Sequence, residues 1–268
     1  MHPILFEWGS FVLPTWHAAF LLGAFSAYVL INFIRQRHFP QITERDFGAI
    51  FIGGYIGGYF GARILSIVIE QPEVDTIGKF VVSVFELGPM TFYGGFIGAW
   101  IGGLLVAWRK GLNLPDATDL TILGGLLGLA IGRLGCFFNG DDYGKVFEVA
   151  AGEAAPIWAF VMPNFQDNLP RYPVQLLEAG WAFLIVIALV IGFGNIRRTF
   201  GAGLVTFLAC DTYAVGRFLL EFFRGDDRGV LFSPLFSPSQ WISLGVMMVG
   251  TMLLALLMVA RKKKSPAR

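Results

Sequence analysis

The sequence predicts an all-α integral membrane protein of seven transmembrane helices with a small outward-facing cap, and three observations carry that expectation. Of 268 residues, 55% are hydrophobic and only 15% charged, where a soluble domain carries about a quarter charged residues. Mean hydropathy is +0.64. Seven apolar stretches, near 12–34, 47–69, 91–108, 118–138, 173–194, 201–223 and 237–260, each approach the roughly 20 residues that a helix needs to cross a bilayer.

The loops orient these stretches. Arg35, Arg37 and Arg45 follow the first, Arg109 and Lys110 the third, Arg197 and Arg198 the fifth, and Arg261, Lys262, Lys263 and Lys264 the seventh. Basic loops stay cytoplasmic. Glu70, Glu73, Asp75 and Glu86 follow the second stretch, and Asp141, Asp142, Glu148, Glu153 and Asp167 follow the fourth. The N-terminus is therefore expected outside and the C-terminus inside. MHPILFEWGS lacks the basic region of a cleavable signal peptide, so the first stretch is expected to remain. The chain reads as one transmembrane domain over 1–268, with a cap over 139–172, too long and polar for a tight turn, and a basic cytoplasmic tail over 261–268.

Other classes are excluded by composition. Lys plus Arg number 20 against 19 Asp plus Glu, so no basic surplus points to nucleic acid. Cys136 and Cys210 lie in apolar stretches and there are three His, so no metal and no cofactor is expected. Glycines recur every fourth residue at Gly53, Gly57 and Gly61, at Gly94, Gly98 and Gly102, and at Gly124, Gly128 and Gly132. That spacing reads as close helix packing.

Charges inside the apolar stretches are the informative residues: Arg63, Asp119, Arg133, Glu178, Asp211, Arg217 and Glu221. Each costs at least about 2.5–3.5 kcal/mol at a bilayer centre, so each should face protein, water or a partner. Arg217 and Glu221 share a helix face, with Arg224 one turn further on. By the loop charges, Arg133 and the 217–224 group all fall toward the outer leaflet. Converging guanidiniums suit an anion such as phosphate, while Arg/carboxylate pairs that only join helices are the plain alternative. GRLGCFFNGDDYG, 132–144, then ends a helix with a glycine-rich turn beside Arg133, whose exposed N–H groups suit a phosphate or its glycerol.

That string resembles the signature of the prolipoprotein diacylglyceryl transferases, approximately G-R-x-G-N-F-x-N-x-E-x-x-G. Gly132, Arg133, Gly135, Phe137, Asn139 and Gly144 match in register, with Asp141 in place of Glu. TFYGG (91–95) is similar to the family's S-F-H-G-G, RYPVQLLE (171–178) to R-H-P-S-Q-L-Y-E, and YAVGRFLLEFFR (213–224) to Y-G-x-x-R-F-x-x-E-F-F-R. GARILS near Arg63 and SPSQWIS near Gln240 also look like family segments, so the resemblance covers almost the whole chain.

The resemblance implies a multi-pass bacterial inner-membrane enzyme, expected as a monomer. Its partners would be phosphatidylglycerol, surrounding membrane lipid, and preprolipoprotein signal peptides with a lipobox cysteine. Its reaction would move the diacylglyceryl group to the cysteine thiol, forming a thioether and releasing glycerol phosphate. Arg133 and Arg217 match the family's essential arginines. Glu221 is expected to orient Arg217, and Asn139, Asp141 and Gly144 to shape the head-group pocket.

Two positions depart from the pattern. Tyr93 stands where the family has a His proposed as base, and a phenol, ordinarily titrating near about pH 10, is a poor base at neutral pH; Tyr93 is expected to hydrogen-bond the lipid. His17, after Trp16, is an alternative base candidate, with an interfacial residue as the plainer reading. Cys136 replaces an Asn beside Arg133, and reads as either a small core residue or a reactive thiol. Rival functions are a retinal protein, opposed by the absence of Lys in 237–260, an anion transporter, for which no repeat is found, and a catalytically altered paralogue that binds lipid or signal peptide.

Overall fold

The structure, a computed structural model, describes residues 4–9, 11–70, 74–86, 90–150, 153–162, 165, 167–226, 233 and 235–264. Glu73 and the end of the basic tail, 265–268, lie outside the described residues. A hairpin of β1 (Ile4–Trp8) and β2 (Phe11–Pro14) leads into α1 (Thr15–His38) and α2 (Glu44–Glu70). There follow α3 (Ile77–Phe85), α4 (Phe92–Arg109) and α5 (Leu114–Asn139), then an irregular segment holding β3 (Phe160–Val161) and β4 (Pro170–Arg171). The chain continues through α6 (Val174–Phe200), α7 (Leu204–Leu220), a 3-10 turn (Glu221–Phe223) and α8 (Pro238–Lys264).

All seven apolar stretches coincide with helices of 17 to 27 residues. Four of these, α1, α2, α5 and α6, are long and apolar enough to cross a membrane, so the protein is a helical, multi-pass membrane protein. Sequence reading does not anticipate the hairpin or α3. The hairpin's apolar run merges with the first span, and α3 has nine residues, too few to cross. The signal for α3 was its cap, since Thr76 Oγ1 accepts from Lys79 N at 3.3 Å.

The chain divides into two compact units. In the unit Ile31–Thr121, α2 and α4 meet along the two glycine rows. A Cβ on Gly57 would land on the Gly98 carbonyl, on Gly61 on that of Gly94, and on Gly102 on that of Gly53. The rows run in opposite directions, so the helices are antiparallel with backbone touching backbone. Arg63 lies under α3, Nε donating to Ser83 O at 2.8 Å. Arg35 Nη1 donates to Ile42 O at 2.8 Å, pinning the α1–α2 corner.

Gly98→Val is therefore expected to lower stability by about 1–3 kcal/mol or to block folding, because its Cβ would also sit 2.9 Å from Gly61 Cα. Gly125→Ala, with nothing within 4 Å, should leave stability equal or higher. Thermal melts followed by size-exclusion chromatography in detergent compare the two, and equal melting points would refute the seam.

The second unit comprises Met1–Leu30 and Ile122–Arg268. Here the third glycine row departs from the expectation of close packing. Gly128 abuts Gly23 of α1, where a Cβ on Gly23 would meet Gly128 O at 3.1 Å, but one on Gly132 would meet nothing within 4 Å. Recurrence every four residues alone does not show which glycines face a neighbour. Helices α6 and α7 approach where Gly216 faces the Trp181 indole, whose Nε1 donates to Thr212 O at 3.0 Å.

The described residues between 140 and 173 are mostly non-helical. Phe147, Trp158 and Tyr172 form an aromatic group that extends to Phe223. The Arg171 guanidinium lies 4.2 Å over the Phe165 ring and pairs Asp167 at 2.5 Å.

Candidate active site

The site begins where α5 stops. Gly140 takes φ +84°, and the Cys136 carbonyl accepts both Gly140 N at 2.9 Å and Asp141 N at 3.1 Å. These bonds satisfy the end of the helix and reverse the chain. Asp142 then sits at φ +56°, a left-handed conformation uncommon for a residue with a Cβ. Two residues on, Gly144 pairs antiparallel with Arg224; Lys145 N donates to Phe223 O at 2.8 Å and Gly225 N to Tyr143 O at 3.0 Å. The turn after α5 and the turn after α7 are thus joined through backbone. Gly144 is required there, because a Cβ would strike the Tyr172 carbonyl.

This junction brings three buried arginines to one place. Arg133 pairs with Asp142 through Nη1, and its Nε lies 3.1 Å from Glu178 Oε2. Arg217 Nη1 lies 2.7 Å from Glu221 Oε2, and Nε lies 3.7 Å from Glu178 Oε1. Arg224 holds Asp142 Oδ1 at 2.6 Å and Asp226 Oδ1 at 2.8 Å. Glu178 is fully buried and also accepts from Tyr213 OH at 2.5 Å. It is the hub of the group, a carboxylate from α6 shared by α5 and α7.

Several of these contacts are close in distance yet misaligned. Arg133 Nε, Arg217 Nη1 and Arg224 Nη1 are buried and complete no hydrogen bond. The facing oxygens, Glu178 Oε2 and Glu221 Oε2, are equally without a hydrogen bond, so Arg133 Nε and Arg217 Nη1 are held by charge rather than by alignment, while Arg224 Nη1 is a buried donor of the kind an anion with several acceptor oxygens satisfies.

Helix α8 docks on this network through its first turn. Ser237 Oγ accepts from Gln240 N at 3.3 Å while Gln240 Oε1 accepts from Ser237 N at 3.0 Å, a reciprocal capping box. The same Ser237 hydroxyl donates to Glu221 Oε1 at 2.7 Å, and Arg217 Nη2 donates to Ser239 Oγ at 3.1 Å. SPSQWIS thereby ties the start of α8 to the Arg217–Glu221 pair.

Of the expected site residues, Arg133, Arg217 and Glu221 come together. Asn139 and Asp141 bond each other through Nδ2 and Oδ2, and the Asp141 carbonyl accepts from buried Gln175 Nε2 at 2.6 Å. The Asp141 side chain is exposed; its neighbour Asp142 meets the arginines. His17 is exposed on the first turn of α1, edge to face with Trp16 at 5.2 Å. Tyr93 belongs to the other unit, half-buried on the first turn of α4. Reading the sequence gave Asp142 and Tyr213 no role and left Glu178 only as one intramembrane charge among several. The available signals were the final Glu of RYPVQLLE and the opening Tyr of YAVGRFLLEFFR.

Burial opposes ionisation of Asp142, but the Arg133 and Arg224 guanidiniums outweigh it and hold its carboxyl below the usual carboxylate range. Burial pushes the Asp226 carboxyl up, against the pull of Arg224. A depressed carboxylate contributes stability that is complete above its unfolded pKa and lost as pH falls through its folded one. The stability that Asp142 contributes should therefore be lost as pH falls below about 4, and Asp142→Asn should lose that part of the acid slope of the melting point. Parallel pH–melting curves with identical slopes would count against the Asp142 clamp.

Fold and site together define a helical membrane protein with a buried arginine–carboxylate centre. The model of the prolipoprotein diacylglyceryl transferase family matches residues 3–256, and the chain belongs to that family. The phosphatidylglycerol–prolipoprotein diacylglyceryl transferase of Geobacter sulfurreducens is 30% identical over 266 residues, covering 98% of this chain and 97% of that protein. The enzyme of the same name from Bordetella parapertussis is 30% identical over 251 residues, 92% of each. That of Erythrobacter litoralis is 28% identical over 265 residues, 97% of this chain and 91% of its own.

Proposed function

We propose that the protein transfers the diacylglyceryl group of phosphatidylglycerol to the lipobox cysteine of preprolipoproteins, the first step of lipoprotein maturation, in a bacterial inner membrane. Family membership supports the reaction. The observation that carries the site is the convergence of three buried arginines, Arg133, Arg217 and Arg224, at the turn that ends the matching motif. In this reading the sulfur of the cysteine thiolate attacks the carbon of the diacylated glycerol that bears the phosphate. The carbon–sulfur bond forms as the carbon–oxygen bond breaks, glycerol phosphate leaves, and the thiol proton passes to solvent or a base.

Negative charge grows on the departing phosphate, so fixed guanidiniums beside it lower the barrier without reorganising. Arg133 and Arg217 take that role, held by Glu178 and Glu221. Asn139, Asp141 and Gly144 shape the turn around the head group, and Tyr93 hydrogen-bonds the lipid, with His17 as an alternative proton acceptor. Seven spans cross the membrane in this reading, with the N-terminus outside, 139–172 as an outer cap, and a monomer as the working form. The loop charges support that orientation.

Mass spectrometry of a lipobox peptide incubated with purified protein and phosphatidylglycerol tests the reading. A diacylglyceryl mass gain on the cysteine is expected, with Tyr93→Phe slowing it about 10-fold through loss of one hydrogen bond to the lipid. Absence of the gain where a family relative works would overturn the transferase.

A further inference from the structure

The arginine group carries no spare positive charge. Arg133, Arg217 and Arg224 face four carboxylates among the described residues: Asp142, Glu178, Glu221 and Asp226. A phosphate entering this group adds negative charge to a set already paired, so tight binding requires one carboxylate to give way. Three of the four are poor candidates. Glu178 and Glu221 are buried on α6 and at the end of α7, and Asp226 is the i+2 neighbour of its own partner Arg224, held by two of that guanidinium's nitrogens.

Asp142 is the most accessible of the four. Its side chain is 27% exposed, the highest in the group, while Arg133 and Arg224 on either side are 9% and 2% exposed. It stands on a turn rather than a helix. Its two oxygens are divided between two guanidiniums, Oδ2 to Arg133 and Oδ1 to Arg224, the bridging arrangement that two oxygens of a phosphate would adopt. Its backbone is left-handed at φ +56°, a conformation that the surrounding contacts must hold.

We propose that Asp142 is a resident anion of the site: its carboxylate occupies the phosphate position between Arg133 and Arg224, and a phosphate ligand binds by displacing it. The inference rests on the reading of the arginines as the lipid-phosphate site, and it adds Arg224 to the residues that contact phosphate. While no lipid is bound, Asp142 keeps both guanidiniums paired and in place. It also sets a competition, so product glycerol phosphate is released against a carboxylate waiting to return.

The test is calorimetric binding of glycerol phosphate to the full-length protein in detergent, for wild type, Asp142→Asn and Asp142→Gly. Glycine accepts the left-handed turn without strain, so the second variant keeps the turn while removing the carboxylate. Binding roughly tenfold tighter is expected in both variants, since one competing charge is removed from two guanidiniums, and inorganic phosphate should gain by a similar factor. KM for phosphatidylglycerol in mixed micelles should fall in parallel. Unchanged or weaker phosphate binding in both variants overturns the displacement, as does a gain confined to glycerol phosphate. Arg133→Ala separates the two readings. If it binds glycerol phosphate as wild type does, the arginines are not the phosphate site and the inference falls with them. If it loses binding while the Asp142 variants match wild type, only the role of Asp142 falls.

Discussion

Arg133→Ala is expected to lower kcat/KM for diacylglyceryl transfer about 10²–10³-fold, the cost of removing one preorganised donor from a developing negative charge, while leaving the protein folded. The second half of that expectation comes from the network. With Arg133 gone, Glu178 still accepts from Tyr213 at 2.5 Å and faces Arg217 at 3.7 Å, and Asp142 still holds Arg224 at 2.6 Å. Neither carboxylate is left alone in the interior, so the melting point should move less than the rate. Arg133→Lys sharpens the test. A lysine restores the charge but not the fork, and the fork is what reaches Asp142 through Nη1 and Glu178 through Nε together. Its melting point should recover further than its rate. Rates of lipobox-peptide modification set beside melting points decide the matter, and Lys recovering both equally would show that charge alone suffices.

Among changes in the charge network, Glu178→Gln should be the most damaging for stability. Glu178 is fully buried and shared by Arg133, Arg217 and Tyr213. Replacing it keeps the shape and removes the charge that two buried guanidiniums share, and since Arg133 keeps Asp142 and Arg217 keeps Glu221, the loss is about 2–3 kcal/mol, that of hydrogen bonds to a charged group. Activity should fall with it, because both arginines lose the group that aims them. Glu178→Asp separates positioning from folding: charge returns but the shorter arm cannot reach both guanidiniums, so melting should recover in part while kcat stays low. Thermal melts and single-turnover rates on the three proteins distinguish these effects. A Gln variant as stable as wild type would mean that Glu178 is not the hub.

Much of the fold was legible because membrane crossing is written in one dimension. A helix in lipid must satisfy its own backbone and present an apolar surface, so seven runs of apolar residues mark seven helices without knowledge of their neighbours. The glycine rows of α2 and α4 were equally legible, since small residues four apart line one helix face. Gly132 shows the limit. It keeps the spacing but meets no neighbour within 4 Å, because facing requires a partner that spacing cannot name. The hairpin and α3 were missed because both are short and take their order from contacts.

For the candidate site, Arg133, Arg217 and Glu221 stood out by charge, since an ion in an apolar run must be paired or exposed to water. Composition and hydrophobic runs thus determined the class of protein and its seven long helices, charge within those runs marked the arginines at issue, and the resemblance of the motifs pointed to the family. Which carboxylate holds which arginine was decided by tertiary structure alone. Glu178 lies 45 positions along the chain from Arg133, yet meets it at 3.1 Å. Asp142 rather than Asp141 turns inward, because the backbone reverses at Gly140 and is fixed by its pairing to the turn after α7. Pairing energies fall steeply with distance in a low-dielectric interior, and those distances are set by how helices pack, which sequence order does not record.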